Sequence, residues 1–575
     1  MLQTLWRSLS RHALCGTALL AAVSLAQAQE PGLIPLSVPG IGLPMTVPVT
    51  TVTATAAPPT NTNVEEMKAR LDRLEKQNEE LLKALQAQPV SRPSTVVTEQ
   101  AGGLNKDEVQ KIVGDYLGQR DAAAKAADVA KKADADAKGF TVGSNLGMTA
   151  KWNNGLWFES VDKAFRFHVG GRTQFDIVGT NVGDDVQFGK GGIGAYQDGV
   201  SFRRGRFAME GSVWEVIGFN MEWDFINTTQ ASGTSAGTTA TFNTPVPTDL
   251  WMSIMNIPFI GTVRIGNHKP WIGFEHLTSS RFLNFMERSA QFDAFIENGN
   301  NGFAPGVSMT NTWGSDENGM WGVGIWKTTR AIFGWNTGEG EWSGVGRATW
   351  LPIYRDNGRH LLHLGMGAQF ADLDDAQVRF RARTSTRQAP AALHNISAIA
   401  QTNGNSQLLL NPELVANVGP FTFQAEYTYS QVYGVDKIIR TPTQTNAAIA
   451  KQNFVAQGAY AEVLYFLTGE HRLYNKKNGA FDRIVPNRNY YLVNGENDSR
   501  IFQSGAWQVA ARYSYLDLND GPIRGGQLND VTLGLNWFLN PNAKVQWNYS
   551  YGHRSVDAAS DGGYHGFGMR FAFDW

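Results

Sequence analysis

The sequence predicts an all-β transmembrane barrel of about sixteen antiparallel strands, preceded by a helical coiled-coil segment. Three observations carry this. The chain ends Phe567-Gly-Met569-Arg-Phe571-Ala-Phe573-Asp-Trp575, with an apolar or aromatic side chain at every second position. Period two is a β-strand with one apolar face, and a closing strand of an outer-membrane barrel has lipid to set that face against. The N-terminus reads as an export signal. From about residue 140 onward the pattern is period two throughout.

The signal comes first. Arg7 and Arg11 precede the apolar stretch 13–25, and Ala26-Gln27-Ala28 supplies a small-x-small cleavage site before Gln29. The only cysteine, Cys15, falls inside this segment, so the mature chain has neither disulfides nor metal thiolates. No later segment has the ~18–20 uninterrupted apolar residues of a membrane-spanning helix. The 61 Gly and 17 Trp suit tight turns and aromatic girdles. The formal net charge of −2 names no partner.

Residues 1–28 are the signal and 29–62 a Pro/Thr-rich extended linker. Residues 63–138 form a helical stalk, in which Val64, Met67, Leu71, Leu74, Asn78, Leu81 and Leu85 keep a/d spacing. The alternative is one amphipathic helix packed on the barrel. A self-associating coil implies an oligomer, without deciding between dimer and trimer. The barrel occupies 139–575. Phe421 to Tyr429, Ala459 to Tyr465, Trp507 to Tyr515, Val531 to Trp537 and Val545 to Tyr551 alternate, with turn signals such as Asn519-Asp520-Gly521-Pro522 between runs. At ~9–11 residues per spanning strand about sixteen strands fit, enough to enclose an aqueous channel.

The chemistry lies in arginines. Arg379, Arg381 and Arg383 share one face of an extended segment, with Arg387 just beyond, while Val378, Phe380 and Ala382 face the other way. On the lipid face each would cost ~2–4 kcal/mol near the midplane. They therefore belong to the lumen, to an inward-folded loop, or to a solvated outer strand that binds lipopolysaccharide phosphates. Guanidinium forks suit phosphate and carboxylate oxygens. Further clusters are Phe202-Arg203-Arg204-Gly205-Arg206, Thr278-Ser279-Ser280-Arg281 with Glu287-Arg288, and Gly170-Gly171-Arg172. Adjacent Arg203 and Arg204 point to opposite faces of a regular strand.

These segments, with Arg264-Ile-Gly266 and Tyr465-Phe-Leu-Thr-Gly-Glu470-His-Arg472-Leu-Tyr474, make the chain resemble the phosphate-selective O/P porins of Gram-negative outer membranes. The resemblance spans most of 160–575. It implies a trimeric sixteen-stranded barrel with inward-folded loops. It makes Arg379, Arg381, Arg383 and Arg387 an arginine ladder. It places Arg172, Arg203, Arg204, Arg206, Lys269, Ser279, Ser280, Arg281 and Arg288 at a constriction, with Asp249 the lone acidic partner there. Arg281 stands where the family commonly has Lys. His276 does too, which makes one fixed cation titratable. Arg206 and Lys269 replace aromatic or neutral residues.

The expected function is a passive anion channel for phosphate or polyphosphate in the outer membrane, exported by its signal peptide and working as a homotrimer. Organic anions such as dicarboxylates and sugar acids are the alternative cargo. A barrel-anchored envelope tether, with the coil on peptidoglycan or a periplasmic partner, is the alternative role. No His-Glu-x-x-His occurs, and no enzyme is expected. Neither cofactor, metal nor nucleic acid is implied.

Overall fold

The computed structural model describes residues 142–575 apart from 197, 236–237, 298–301, 315, 328–341, 374–376, 387–397, 491–492, 495–499, 502 and 557–560. The signal, linker, coil and Arg387 lie outside the described residues.

Sixteen antiparallel strands close on themselves. They are β1 (Phe165–Val182), β2 (Gly199–Val213), β3 (Ile217–Ser235), β4 (Thr238–Ile257), β5 (Gly261–His268), β6 (Ala304–Trp313), β7 (Gly319–Lys327) and β8 (Trp342–Arg355). Then follow β9 (His360–Asp372), β10 (Ser406–Val418), β11 (Phe421–Arg440), β12 (Thr445–Phe466), β13 (Ala506–Asp520), β14 (Ile523–Asn540), β15 (Ala543–Ser555) and β16 (Gly562–Asp574). Each pairs with its neighbour, and β16 returns to β1 in the register Tyr564↔Val182 through Asp574↔Arg172. Closure removes both sheet edges, which a barrel in lipid requires.

The alternation does what the sequence implied. On β16, Phe567, Phe571 and Phe573 are exposed outward, while Tyr564 and Arg570 are buried inward. On β4, Leu250, Met252 and Ile254 face out and Ser253 is buried. On β11, the lumen side is Thr422, Gln424, Glu426, Thr428 and Ser430, all buried. Apolar residues therefore meet lipid, and the polar face is enclosed. Among the described residues no helix is long and apolar enough to cross a membrane.

Most connections at one end are short, such as 214–216, 258–260, 419–420 and 541–542. By the barrel rule this end is periplasmic and the long loops are external. A hairpin, Met148–Trp152 with Leu156–Ser160, extends β1 at this end, pairing Leu156↔Val169 through Glu159↔Arg166.

The Gly170-Gly171 pair is explained by the chain terminus. Gly171 N–H donates to the Trp575 carbonyl at 3.1 Å, and Trp575 N–H donates back to the Gly171 carbonyl at 3.3 Å. A Cβ on Gly171 would lie 2.4 Å from the Arg206 carbonyl and 2.6 Å from the Trp575 indole. Only glycine leaves room for both neighbours.

Candidate functional site

Two connections fold into the lumen and position the site. The first is 269–303, between β5 and β6. Irregular backbone at membrane depth survives only if its peptide groups find partners. Here the far wall supplies them. Glu426 on β11 accepts the Phe274 and Glu275 N–H groups at 3.0 and 2.7 Å. Ser514 Oγ accepts the Ala290 N–H at 3.2 Å. Asn536 donates to the Asn284 carbonyl at 2.7 Å, Lys544 to that of Leu283 at 2.9 Å, and Arg512 to that of Glu287 at 3.0 Å. Arg570 donates to the Met286 carbonyl.

The second connection, 467–505, is the long exception at the short-turn end. Arg347 on β8 binds the Asn478 and Gly479 carbonyls at 3.1 and 2.6 Å. Arg472 donates to the Phe282 carbonyl and Asn284 Oδ1, both at 2.8 Å. Burial holds its guanidinium down to about 10. Phe274 of the first loop meets Phe481 of the second edge-on at 5.0 Å.

With loop 269–303 tied to the β11–β15 wall, a recess remains on the β1–β5 side. Its cavity volume is about 370 Å³, and it is lined by Arg172, Arg204, Arg206, Arg264, Lys269, Arg281 and Arg288 together with Glu210, Glu222 and Asp249. Seven cations meet three carboxylates, an excess of four. Ser279, Ser280, Trp251, Trp271 and Phe303 complete much of the lining. Nine of the ten constriction residues expected from the sequence thus surround one space.

The tenth, Arg203, stands apart because of a β-bulge. The register between β1 and β2 shifts from Gln174↔Arg204 to Phe175↔Phe202. Arg203 is the extra residue, so the alternation expected of a regular strand does not hold. Arg203 grips Glu287 with two bonds, at 2.8 and 3.1 Å. Arg204 also turns inward, donating to Gln174 Oε1 at 2.7 Å and lying 3.9 Å from Glu287.

Most cations in the recess are partly satisfied. Glu222 is the hub: Arg172 contacts it, Arg206 reaches it at 2.9 Å, and Arg281 lies 3.8 Å away. Arg206 also binds Asp224 at 2.8 Å, so it contributes less than a full free cation. Arg172 donates to Ser280 Oγ at 2.7 Å. Arg281 lies equally far, 3.8 Å, from Asp574. Asp249 accepts the Trp251 indole N–H at 2.9 Å.

Arg288 is held by backbone carbonyls, those of Glu275 at 2.8 Å and Thr278 at 2.7 Å, and Lys269 donates to the His276 carbonyl. Burial, with Arg288 beside it, keeps the Lys269 ammonium well below the ordinary lysine value. Burial also keeps His276 well below the ordinary histidine value, reinforced by Lys269 and Arg288. His276 is therefore a neutral packing residue and not the titratable pore cation that the sequence suggested.

Asp249 is not the lone acid of the recess either. Glu222 and Glu210 were missed, and so were Asp224 and Glu287 as partners of the arginines around it. The signal was present for two of them. Glu222 and Asp224 share a face of β3 directly across from β2, in the register Arg206↔Asp224 and Ala208↔Glu222.

The segment Gln377–Ala382 pairs with Ala398–Asn403 as a hairpin within the β9–β10 connection. Val378, Phe380 and Ala382 are buried, with Phe380 packed on Phe295 and Phe454, and Arg379 and Arg381 are half-buried on the other face. Arg383 directly follows this strand. It binds Asp293 and Glu297 at 2.6 Å each, and its N–H donates to Asp293 at 2.7 Å. Burial opposes its charge, but the two carboxylates outweigh burial and raise its pKa. Arg383 fastens the hairpin to loop 269–303.

Comparison with known proteins places the chain. Porin O of Pseudomonas aeruginosa is 25% identical over 431 residues, covering 70% of this chain and 86% of that protein. An uncharacterized protein of Caulobacter vibrioides is 26% identical over 412 residues, covering 70% of each. Among solved structures, the outer membrane channel DcaP of Acinetobacter baumannii has a TM-score of 0.42 at 10% identity, covering 72% of this chain and 98% of that one. The anion-selective porin from Comamonas acidovorans has a TM-score of 0.39 at 11% identity, covering 72% and 100%. The family model for phosphate-selective porin O and P matches residues 167–575, and the chain belongs to that family of outer-membrane β-barrel porins.

Proposed function

We propose that this barrel is a passive channel for small anions, with phosphate or polyphosphate as its cargo. The observation that carries the reading is the recess between loop 269–303 and the β1–β5 wall, where seven cationic side chains face three carboxylates. A cationic passage with low-dielectric walls concentrates anions. The Arg379/Arg381/Arg383/Arg387 row would add to that field.

The hub carboxylate supplies the mechanism. Glu222 already occupies the forks of Arg172 and Arg206. An incoming anion meets Arg281, which lies beyond hydrogen-bond distance of both Glu222 and Asp574, and Arg288 and Lys269, which rest on carbonyls. It exchanges water for these donors while competing with Glu222 for the others. Such competition keeps binding weak enough for release, as conduction requires. No energy source is needed. We further propose the homotrimer that the resemblance implies, testable by cross-linking in mild detergent.

The test is a planar-bilayer recording in dilute chloride, with phosphate, pyrophosphate and a dicarboxylate titrated in turn. Phosphate or pyrophosphate should block chloride current below millimolar concentration more effectively than the dicarboxylate. Equal permeability to potassium and chloride would end the anion reading. Deleting residues 29–139 tests the tether alternative. Conductance and selectivity that survive the deletion make the pore the function and the N-terminal segment an accessory.

A further inference from the structure

The recess contains more than an inorganic ion uses. Its volume of about 370 Å³ falls in the ~300–1,000 Å³ range of clefts that hold drug-sized organic molecules. Beside the cations stands an aromatic wall. The Arg264 guanidinium lies 4.1 Å over the Trp251 ring and 5.7 Å from that of Trp271, and Lys269 sits 5.6 Å over Phe303. Trp251 is oriented by its bond to Asp249. Arg264 projects from the lumen face of β5, between the outward-facing Val263 and Ile265, and is only half-buried. Its Nε and the Trp271 Nε1 are buried donors without a hydrogen-bond partner in the described structure.

A planar guanidinium has two faces, and with Arg264 over the Trp251 ring on the wall of the recess a flat ring entering there can lie against the other. That face takes an aromatic ring well and a hydrated phosphate poorly, because ring-on-guanidinium contact gains from dispersion and the ring quadrupole. The neighbouring Arg281, Arg288 and Lys269 supply the charge that an acid group on the same molecule would need. We propose that the Arg264–Trp251 stack is a binding shelf for flat organic anions, aromatic acids or aryl phosphate esters, with the ring on Arg264 and the anionic group on the Arg281/Arg288/Lys269 side. The inference rests on the anion-channel reading and specifies its cargo.

The test compares two anions that share a head group. Chloride current through the full-length channel is titrated with inorganic phosphate and with phenyl phosphate, at a pH where both are dianions. Phenyl phosphate should block at roughly three- to tenfold lower concentration, the factor a stacking contact is worth. Arg264→Lys, which keeps the charge but loses the plane, should bring that ratio close to one. In the unaltered channel, benzoate should block better than cyclohexanecarboxylate, which matches it in charge but is not flat. Phenyl phosphate no stronger than phosphate, or benzoate no stronger than its puckered counterpart, overturns the shelf. Absence of block by phosphate together with block by phenyl phosphate overturns the phosphate reading and leaves the shelf standing. Absence of block by either anion overturns both.

Discussion

Glu287, on the inward loop, and Arg570, on the last strand, are joined at 2.8 Å inside the barrel. Arg570 also binds Asp176 of β1 at 2.6 Å across the strand pair that closes the cylinder, and Glu287 takes two bonds from Arg203. The constriction loop is therefore locked to the seam where the two ends of the barrel meet.

Glu287→Ala should loosen that lock. Arg203 and Arg570 would each lose a buried carboxylate, and breaking such a pair from one side costs ~3–5 kcal/mol. The expected outcome is a lower unfolding midpoint in urea and a noisier single-channel current, while the barrel still assembles through its strand pairing. A quiet channel of unchanged stability would show that the loop is held without it.

Gly171→Ala should impair barrel closure. The added methyl meets both the Trp575 indole and the Arg206 carbonyl. Folding yield, read from the gel mobility of heated against unheated samples, should drop. Removing the Trp575 indole in the same chain should restore it only in part, since the carbonyl contact remains. Full restoration would assign the whole effect to the indole.

The arginine row should divide by function. Arg379→Ala with Arg381→Ala should lower conductance in dilute chloride and weaken phosphate block. Arg383→Ala should remove the guanidinium that Asp293 and Glu297 both hold. It should reduce anion selectivity and destabilise the loop contact together. An unchanged anion/cation permeability ratio in the double variant would remove the ladder from the mechanism.

The pH response should come from Lys269 and not from His276. Lys269 is charged below its folded-state pKa and neutral above it, and that pKa lies well below the ordinary 10.5. As pH rises, the recess loses one cation earlier than an exposed lysine would, and anion selectivity falls with it. Lys269→Met should abolish this step. His276 is neutral when buried, so no selectivity step should appear as pH crosses the ordinary histidine range. A step there that disappears in His276→Gln would contradict its assignment as a packing residue.

The barrel was legible because lipid imposes a strict rule on every spanning strand. Phe567, Phe571 and Phe573 could be read as outward without knowing their neighbours. The arginines were legible as a group for the converse reason, since charge has no place on that face. Their partners were not. Glu287 meets Arg570 across 283 residues of chain, and nothing local marks such a pair. The bulge at Arg203 also defeated the reading, because period two assumes a ladder without an extra residue. The role of Arg383 depended on Asp293 and Glu297 arriving from a different loop. His276 looked titratable by residue type, and its depth in the fold beside Lys269 and Arg288 makes it neutral.

The manner in which loop 269–303 is anchored has a consequence for how such a channel diversifies. Glu426, Asn536, Lys544 and Arg512 on the wall address peptide N–H and carbonyl groups of the loop. Peptide groups are common to all residues, apart from the N–H that proline lacks. Many of the loop's side chains can therefore be exchanged while these backbone attachments persist. A new cargo preference could then arise by substitutions at positions such as Arg281 or Ser279 alone, with the scaffold inherited unaltered.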